Sequence, residues 1–565
     1  MKGTLNRSFN RKKNQNNEQK LSSENTGETG DSELQEYLEI RRQRRRIFPR
    51  AALVGACAGL LALLFRIGLS GADQLRNSLL AWAHSQPALG WVFPILFAML
   101  GAGISVALTR RFAPEASGSG IPHLEAVLLR MRKFHWKRLL PVKFFGGIIA
   151  IGGGLALGRE GPTVQMGGAV GDAVGRWLKV SRWERMPLIA AGAGAGLAAA
   201  FNAPLSGLIF VLEEVRRDFQ PIVFGTAFIA AVVADIVARL GTGQFPVFTV
   251  PSYPVPPLAS LPVFALLGIL TGALGVFFNR ALLATANAFG RLPERFILPA
   301  AVVTGGIAGL AGWFSPLVVG SGHEIAEAAL QGELMLAAIP LFFAVRFFLT
   351  TASYGTGAPG GIFAPLLGLG ALIGLAVGQI AHNLAPSIVP IPAVFAVVGM
   401  AAYFTAIVRA PLTGIMLIVE MTGNYSQMLP LLVSCFSAYL VAEFLKEMPI
   451  YEALLERDLK RGVDLTLNEP AVAEFVVQPG SPFDGRQVRS LGLPPGCILV
   501  RISEGKQERI PRANTRLKAN MHITAIVAPE AAVGFEVLHR GCAACTAEDK
   551  KGNAAPLRPE QRFLR

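Results

Sequence analysis

Between about residues 47 and 445 the chain is a near-unbroken series of apolar segments, such as 51–65, 93–108 and 224–240, with only short polar gaps between them. Peptide groups inside a bilayer have no water to pair with, so each crossing must satisfy its own hydrogen bonds as a helix or within a closed barrel. Segments of this length suit helices, and the stretch has room for roughly a dozen or more crossings at about 20 residues each. The segments at 189–201 and 204–215 are too short for a full crossing and read as half-helices. A soluble helical core does not sustain such hydropathy over this length. The chain as a whole is 52% hydrophobic and 16% charged.

Three glycine-rich blocks interrupt these segments: Gly118-Ser119-Gly120-Ile121-Pro122, Gly158-Arg159-Glu160-Gly161-Pro162 and Gly360-Gly361-Ile362-Phe363-Ala364-Pro365. Irregular backbone at membrane depth survives only where it is packed in protein or lines a cavity. A helix that restarts after such a break offers free N–H groups and the positive end of its dipole, a place to hold an anion without a full positive charge.

The blocks recur. Gly118-Ser119-Gly120 returns as Gly320-Ser321-Gly322, an offset of 202, and the Gly158 to Pro162 spacing returns at Gly361 and Pro365, an offset of 203. Ala203-Pro204-Leu205-Ser206-Gly207 returns as Ala410-Pro411-Leu412-Thr413-Gly414, an offset of 207. Matched interrupted segments in two halves, about 50–240 and 258–445, indicate a transporter-like fold with its site where the halves meet.

The formal net charge of +15 is placed at span ends. Arg41, Arg42, Arg44, Arg45, Arg46 and Arg50 precede the first span, and the gaps 130–138 and 179–185 are basic. By the positive-inside rule these gaps and the N-terminus face the cytoplasm. Lipid headgroups and topology account for this basicity. Aromatic interleaving and a docking module are both missing, so no nucleic-acid partner is expected. The opening residues are polar, read as disordered, and show no cleavable signal; residues 1–45 are expected to be a basic cytoplasmic tail.

After about residue 461 the composition becomes that of a soluble domain. Residues 466–530 alternate apolar and polar groups around turn signals, with strands expected at 475–477, 497–502 and 522–527 and a short helix at 484–491. They read as a small cytoplasmic α+β domain, followed by a mobile tail over 531–565. Of the five cysteines, Cys57 and Cys435 lie in apolar spans, and Cys497 stands alone. Cys542-Ala-Ala-Cys545 is a single CxxC with no second pair, so no metal site is expected.

Taken together, the blocks GSGIP at 118–122, GREGPTVQMGG at 158–168, NAPLSGLIFVLEE at 202–214 and GAPGGIFAP at 357–365, with Pro449-Ile450-Tyr451 beyond them, resemble the chloride channel and chloride–proton antiporter (CLC) family over residues 46–458. The resemblance implies an all-α polytopic membrane fold of two inverted-topology repeats with broken, tilted, half-length helices. It also implies a bacterial inner-membrane location with both termini cytoplasmic, and a homodimer with one pathway per subunit. Residues 466–530 are similar to the TrkA-C regulatory domain, through Pro479-Gly480-Ser481, Gly485-Arg486 and Leu493-Pro494. That similarity implies a regulatory role through dimer contacts or a small ligand. Asn520 stands where such domains often carry an acid.

The family pattern assigns the inner anion site to the hydroxyls of Ser119 and Tyr451, with Gly120 and Gly161 giving close backbone approach. The amides of Ile362 and Phe363 are assigned to a central chloride. Serine at 119 goes with chloride. Glu160 is read as gate and proton carrier: a carboxylate within an apolar span is a functional candidate by default, and a helix start stabilises its ionised form. Glu214 is read as the internal proton acceptor of an antiporter, where channel members have an apolar residue; a plain ion pair with Arg216 or Arg217 is the competing reading. Glu213 could share either role. Lys143 and Arg159 are read as background field or helix-end contacts. His123 could add pH sensitivity near neutrality, although a hydrogen-bonded histidine is the simpler reading.

The leading expectation is chloride–proton exchange with no cofactor beyond the transported ions. The alternative is a passive chloride channel gated by voltage or pH. A phosphate-handling membrane enzyme is disfavoured, because no lysine follows the glycines in Walker fashion and no carboxylate cluster could hold magnesium.

Overall fold

A computed structural model of the chain describes residues 5–86, 89–217, 219–244, 246–248, 250–251, 253–460, 470–504, 507–528, 531 and 533–542. It divides into two compact units, a mainly apolar helical one of Met1–Leu124 with Phe134–Leu454, and a second of Glu125–Lys133 with Leu455–Arg565.

The helical unit contains two series of eight α-helices. The first is α1 (Leu5–His84), α2 (Val92–Phe112), α3 (Ile121–Leu128), α4 (Trp136–Gly152), α5 (Glu160–Trp177), α6 (Arg182–Phe201), α7 (Pro204–Phe210) and α8 (Pro221–Thr242). The second is α9 (Leu261–Arg291), α10 (Glu294–Phe314), α11 (His323–Gln331), α12 (Ile339–Gly355), α13 (Phe363–Leu384), α14 (Ala393–Val408), α15 (Pro411–Thr422) and α16 (Met428–Phe444). The order of long and short helices is the same in both series, and α2, α3 and α4 match α10, α11 and α12 within one residue in length, so the repeat seen at three motifs extends beyond them. The backbone helix of α1 runs back to Leu5 through the segment read as a tail, and its apolar portion is Arg45–His84.

Seven of the described helices are long and apolar enough to cross a bilayer, fewer than the dozen or more expected from length. The glycine breaks cut the remaining apolar sequence into shorter pieces. The expected half-helix at 189–201 is the apolar end of the 20-residue α6. The α7 segment is short as expected, and its last turn widens into a π-helix at Val211–Val215.

Close packing between membrane helices relies on small residues, since lipid tails are as apolar as leucine. A Cβ on Gly167 of α5 would lie 2.1 Å from the carbonyl oxygen of Gly192 on α6, and one on Gly192 would lie 2.2 Å from that of Gly167. The second half repeats the device between α13 and α14, where Gly370 and Gly399 would approach each other's carbonyls to 2.5 and 2.3 Å. Backbone meets backbone at both places, so no rotamer change can make room.

The C-terminal unit begins with the end of α17 (Ile450–Lys460) and contains a four-stranded antiparallel sheet of order β1-β4-β2-β3. The strands are β1 (Ala471–Val476), β2 (Cys497–Glu504), β3 (Gln507–Arg509) and β4 (His522–Val527). The core gathers Val477, Leu499, Ile502, Leu517, Ile523 and Leu538. The helix expected at 484–491 is a short 3₁₀ turn, Val488–Ser490. Gly485 takes a left-handed φ of 79°, and the amides of Gly485, Val488 and Arg489 donate to carbonyls of Leu517, Thr515 and Ala513 instead of to a helix. Asn520 sits at φ 65° before β4, a conformation asparagine tolerates better than most residues.

The stretch expected as a mobile tail starts with α18 (Val533–Cys542), and its Leu538 and Cys542 are buried in the domain core. Its apolar positions on one face pack against the sheet, which the polar flank at 543–565, outside the described residues, had masked. Burial pushes the Cys542 thiol up to about 11, so it carries little thiolate at neutral pH. Cys545 lies outside the described residues.

Gly192→Leu should lower the thermal midpoint of the protein in detergent by an amount equivalent to about 1–3 kcal/mol of overpacking. A midpoint equal to wild type would show that α5 and α6 do not meet at these glycines.

Candidate functional site

The glycine blocks of the two halves are hydrogen-bonded to each other. Gly158 N–H donates to the Gly361 carbonyl at 2.6 Å, and Gly361 N–H donates to that of Gly158 at 2.7 Å. Beside this antiparallel pair, Gly118 N–H donates to Ala358 O at 3.2 Å and Gly360 N–H to Gly118 O at 3.0 Å. Two broken segments thus satisfy each other's peptides at membrane depth, as the absence of water demands. α5 and α13 begin directly after the paired glycines, at Glu160 and Phe363, so the amide-rich starts of two helices converge.

Ser119 lies at this convergence. Its residue is 1% exposed, and its Oγ has no hydrogen-bond partner. Gly118 and Gly120 on either side have φ of 61° and 84°, which only glycine adopts freely. A Cβ on Gly161 would fall 2.5 Å from Ser119 Oγ, and a Cβ on Gly361 would fall 3.0 Å from the Gly161 amide. The absent side chains leave a hydroxyl and bare amides facing one another, a donor-rich set suited to an anion. Ile362 and Phe363 are fully buried, and the Phe363 ring packs against Phe404, Phe201 and Phe210 at centroid distances of 4.4, 5.7 and 6.4 Å. Tyr451 is wholly buried in the first turn of α17.

Glu160 is 1% exposed, yet its carboxylate reaches across to the other half. Oε2 accepts from the amide of Ala364 at 3.2 Å, and Oε1 lies 3.9 Å from Arg159 Nε. The side chain therefore sits at the start of α13, where an incoming anion would find the same amides. A small cavity opens beside it, lined by Arg159, Glu160, Ser321, Gly322, His323 and Ala364 among others.

Lys143 was expected to supply background field or helix-end contacts, and it does the latter. Its ammonium is completely buried and donates to the carbonyls of Ala116 and Gly118 at 2.8 and 2.6 Å, holding the loop that carries Ser119. Arg346, an offset of 203 further on, does the same in the second half, donating to Val318 O at 3.0 Å and Gly320 O at 2.8 Å. The sequence reading missed Arg346, although the repeat offset applied to Lys143 leads to it.

Glu213 and Glu214 have separate environments. The Glu213 carboxylate accepts from the amides of Leu412 and Thr413 at 3.0 and 2.7 Å and from Thr413 Oγ1 at 2.7 Å, capping the start of α15. Glu420 caps α7 in the same manner, accepting from the amides of Leu205 and Ser206 at 3.0 and 2.7 Å. The two short helices run antiparallel, each closing the other's N-terminus, which is the relation expected of inverted halves. Glu213 is thereby held as a cap of α15.

Glu214 is 3% exposed, with Arg217 Nη2 3.7 Å away, and Arg217 also pairs with the half-exposed Glu452. The ion pair weighed as the plainer reading of Glu214 is thus present, and Glu452, missed in the sequence, extends it toward the surface.

His123 is buried, with its ring edge-on to Phe134 and Nδ1 3.3 Å from Gln165 Nε2, the hydrogen-bonded histidine of the simpler reading. Gln165 also donates to Glu115 O at 2.8 Å, so His123 is tied to the loop before Ser119. Among the described residues no group of three or more His, Cys, Asp or Glu is placed to hold a metal ion.

Fold and site together define a multi-pass membrane protein of two inverted repeats whose broken helices meet around a donor-lined pathway. The chain belongs to the voltage-gated chloride channel (CLC) family, whose pattern it matches over residues 101–443, and it matches the TrkA-C domain over 472–533. It is 43% identical over 417 residues to the H(+)/Cl(−) exchange transporter ClcA of Vibrio parahaemolyticus, covering 73% of this chain and 89% of that protein. A solved structure described as a slow cyanobacterial Cl−/H+ antiporter is 39% identical with a TM-score of 0.72, over 74% of this chain and 99% of that one. A eukaryotic CLC transporter, 23% identical with a TM-score of 0.63 over 73% of this chain and 74% of that one, shares the fold.

Glu213→Ala and Glu420→Ala each remove a helix cap and should lower the detergent thermal midpoint by an amount equivalent to about 1–2 kcal/mol of stability. Glu214→Ala leaves both caps in place and should lower it less. Equal losses from all three would remove the capping assignment.

Proposed function

We propose that this protein is a secondary active transporter that exchanges chloride for protons. The seat of Glu160 carries the reading: a buried carboxylate accepting from an amide at the start of α13, beside a cavity, occupies the place where an anion would bind. The exchange transporters and the antiporter that the chain resembles support it.

The basic gap at 179–185 follows α5 and faces the cytoplasm by the positive-inside rule. The 18 residues of α5 then carry Glu160 about 27 Å away from that side, so its cavity is the outer mouth. Chloride from the cytoplasm meets Ser119 and Tyr451, then the amides of Ile362 and Phe363. Amide dipoles at a helix start stabilise an anion by at most about 2 kcal/mol each terminus, enough to draw it in and weak enough to let it leave. Ionised Glu160 competes for the outer seat. Once protonated it loses its attraction to the amides, moves aside and yields the seat to chloride. The proton, taken from the outside, is passed inward to Glu214 and the cytoplasm, which returns the carboxylate to its seat as chloride leaves outward; the opposite sequence runs when the gradients reverse.

Glu214 is the inner proton group in this scheme, connected to solvent through Arg217 and Glu452. The line of contacts from Glu214 to Glu160 through Phe210 and Phe363 is apolar. No side chain on it carries a proton, so water entering the pathway completes the transfer. The acid at 214 favours exchange over a passive channel gated by voltage or pH. The transported ions need no cofactor and no covalent chemistry, so the protein is not an enzyme.

A bacterial inner-membrane location with both termini cytoplasmic follows from the basic gaps and the bacterial relatives. A homodimer is supported by α7 and α15: both are too short to span a bilayer, and both expose leucine, Leu205 and Leu412, which a second copy would cover better than lipid. The TrkA-C domain would bind a small regulatory ligand.

In proteoliposomes, Glu160→Gln should keep passive chloride flux and lose chloride-driven proton uptake. Retained uptake would remove Glu160 from its role. Glu214→Ala should cut proton movement about a hundredfold while chloride still passes, the scale of a lost positioned proton carrier. Proton movement at the wild-type rate would leave Glu214 as an ion-pair residue only.

A further inference from the structure

The outer cavity contains chemistry that the gate does not use. Its wall includes Ser321, in the block Gly320-Ser321-Gly322, which is the repeat counterpart of Gly118-Ser119-Gly120. The correspondence extends below the loop, because Arg346 holds the carbonyls of Val318 and Gly320 as Lys143 holds those of Ala116 and Gly118.

Two guanidinium groups lie against the loop that carries Ser321. Arg346 is completely buried, its Nε has no hydrogen-bond partner, and the carboxylate that acts on it, Glu324, forms no ion pair with it among the described residues. A Cβ on Gly322 would lie 2.4 Å from Arg346 Nη2, so that guanidinium rests directly beneath the loop. A second guanidinium, Arg76, lies 2.8 Å from the corresponding point on Gly320, again with an unpartnered Nε, although its Nη1 pairs with Asp73 at 2.6 Å. Arg159 is in the cavity wall. His323 joins it, stacked on Phe248 at 4.6 Å with Glu327 4.0 Å from its Nε2. A buried guanidinium with an unpartnered N–H and no carboxylate in ion-pair contact, as at Arg346, is unfavourable, and an anion above the loop would relieve it.

We propose that the outer cavity holds an additional halide site, formed by Ser321, His323 and Arg159 above the buried Arg346, in which an anion waits while Glu160 still fills its own seat. The site is the outward image of the Ser119 site under the repeat. It rests on the exchanger reading for its role as a loading site, but not for its ability to bind. It makes the pathway nearly symmetric, with one serine loop over one buried cation at each mouth.

Crystals of the full chain soaked in bromide provide the test through anomalous scattering, which reads binding without transport. Bromide density within hydrogen-bond distance of Ser321 Oγ, with Glu160 still seated on Ala364 N–H, is the expected result. Ser321→Asp should abolish that density, and Ser321→Thr, which keeps the hydroxyl, should retain it. No density in the wild-type cavity, or density that persists in Ser321→Asp, would overturn the site. Chloride-driven proton uptake measured on the same preparation separates the two claims. Uptake without outer bromide removes this site alone, and bromide at Ser321 without uptake keeps the site and removes the exchanger reading.

Discussion

Everything at the site depends on one pair of hydrogen bonds, Gly158 to Gly361 and back. Two helices stopped in the middle of an apolar protein leave peptide groups that no water can satisfy, and a single break would be strongly unfavourable. Two breaks facing each other satisfy one another and aim the starts of α5 and α13 at a common point. The anion-attracting character of the pathway is a by-product of that pairing. Glycine is required because any Cβ at 158, 161 or 361 would run into neighbouring backbone or into Ser119 and Glu160.

The repeat is nearly symmetric in its scaffold and asymmetric where chemistry is expected. Glu213 and Glu420 cap opposite helices, Lys143 and Arg346 hold equivalent loops, and Gly167–Gly192 matches Gly370–Gly399. At the helix starts the halves diverge: Glu160 corresponds to Phe363, a titratable group against an apolar plug. At the ends of α7 and α15, Glu214 corresponds to Met421. Glu160 and Glu214 have no acidic counterpart in the second half, whereas Glu213 and Glu420 form equivalent caps.

Much of this was legible in the sequence because membrane depth restricts backbone so severely. The glycine blocks, their order and their offsets located Ser119, Glu160, Ile362 and Phe363 before any coordinates. What stayed hidden were contacts between distant segments of chain. Nothing local to Glu213 marks it as the cap of α15 about 200 residues later, and it stands beside Glu214 with the same side chain. Arg346 is one basic residue in an otherwise apolar helix, and nothing local shows the carbonyls it holds. The number of full spans was overstated because hydropathy does not show where glycine ends a helix, and α18 was missed because its short amphipathic run merges into a polar flank.

The most direct measurement is the reversal potential of wild-type protein in a bilayer with a fixed chloride gradient and a varied pH gradient. Exchange at Glu160 requires that potential to depart from the chloride equilibrium value and to move with the pH difference across the membrane. A reversal potential that stays at the chloride equilibrium value at every pH difference would contradict it and make the protein a passive chloride channel.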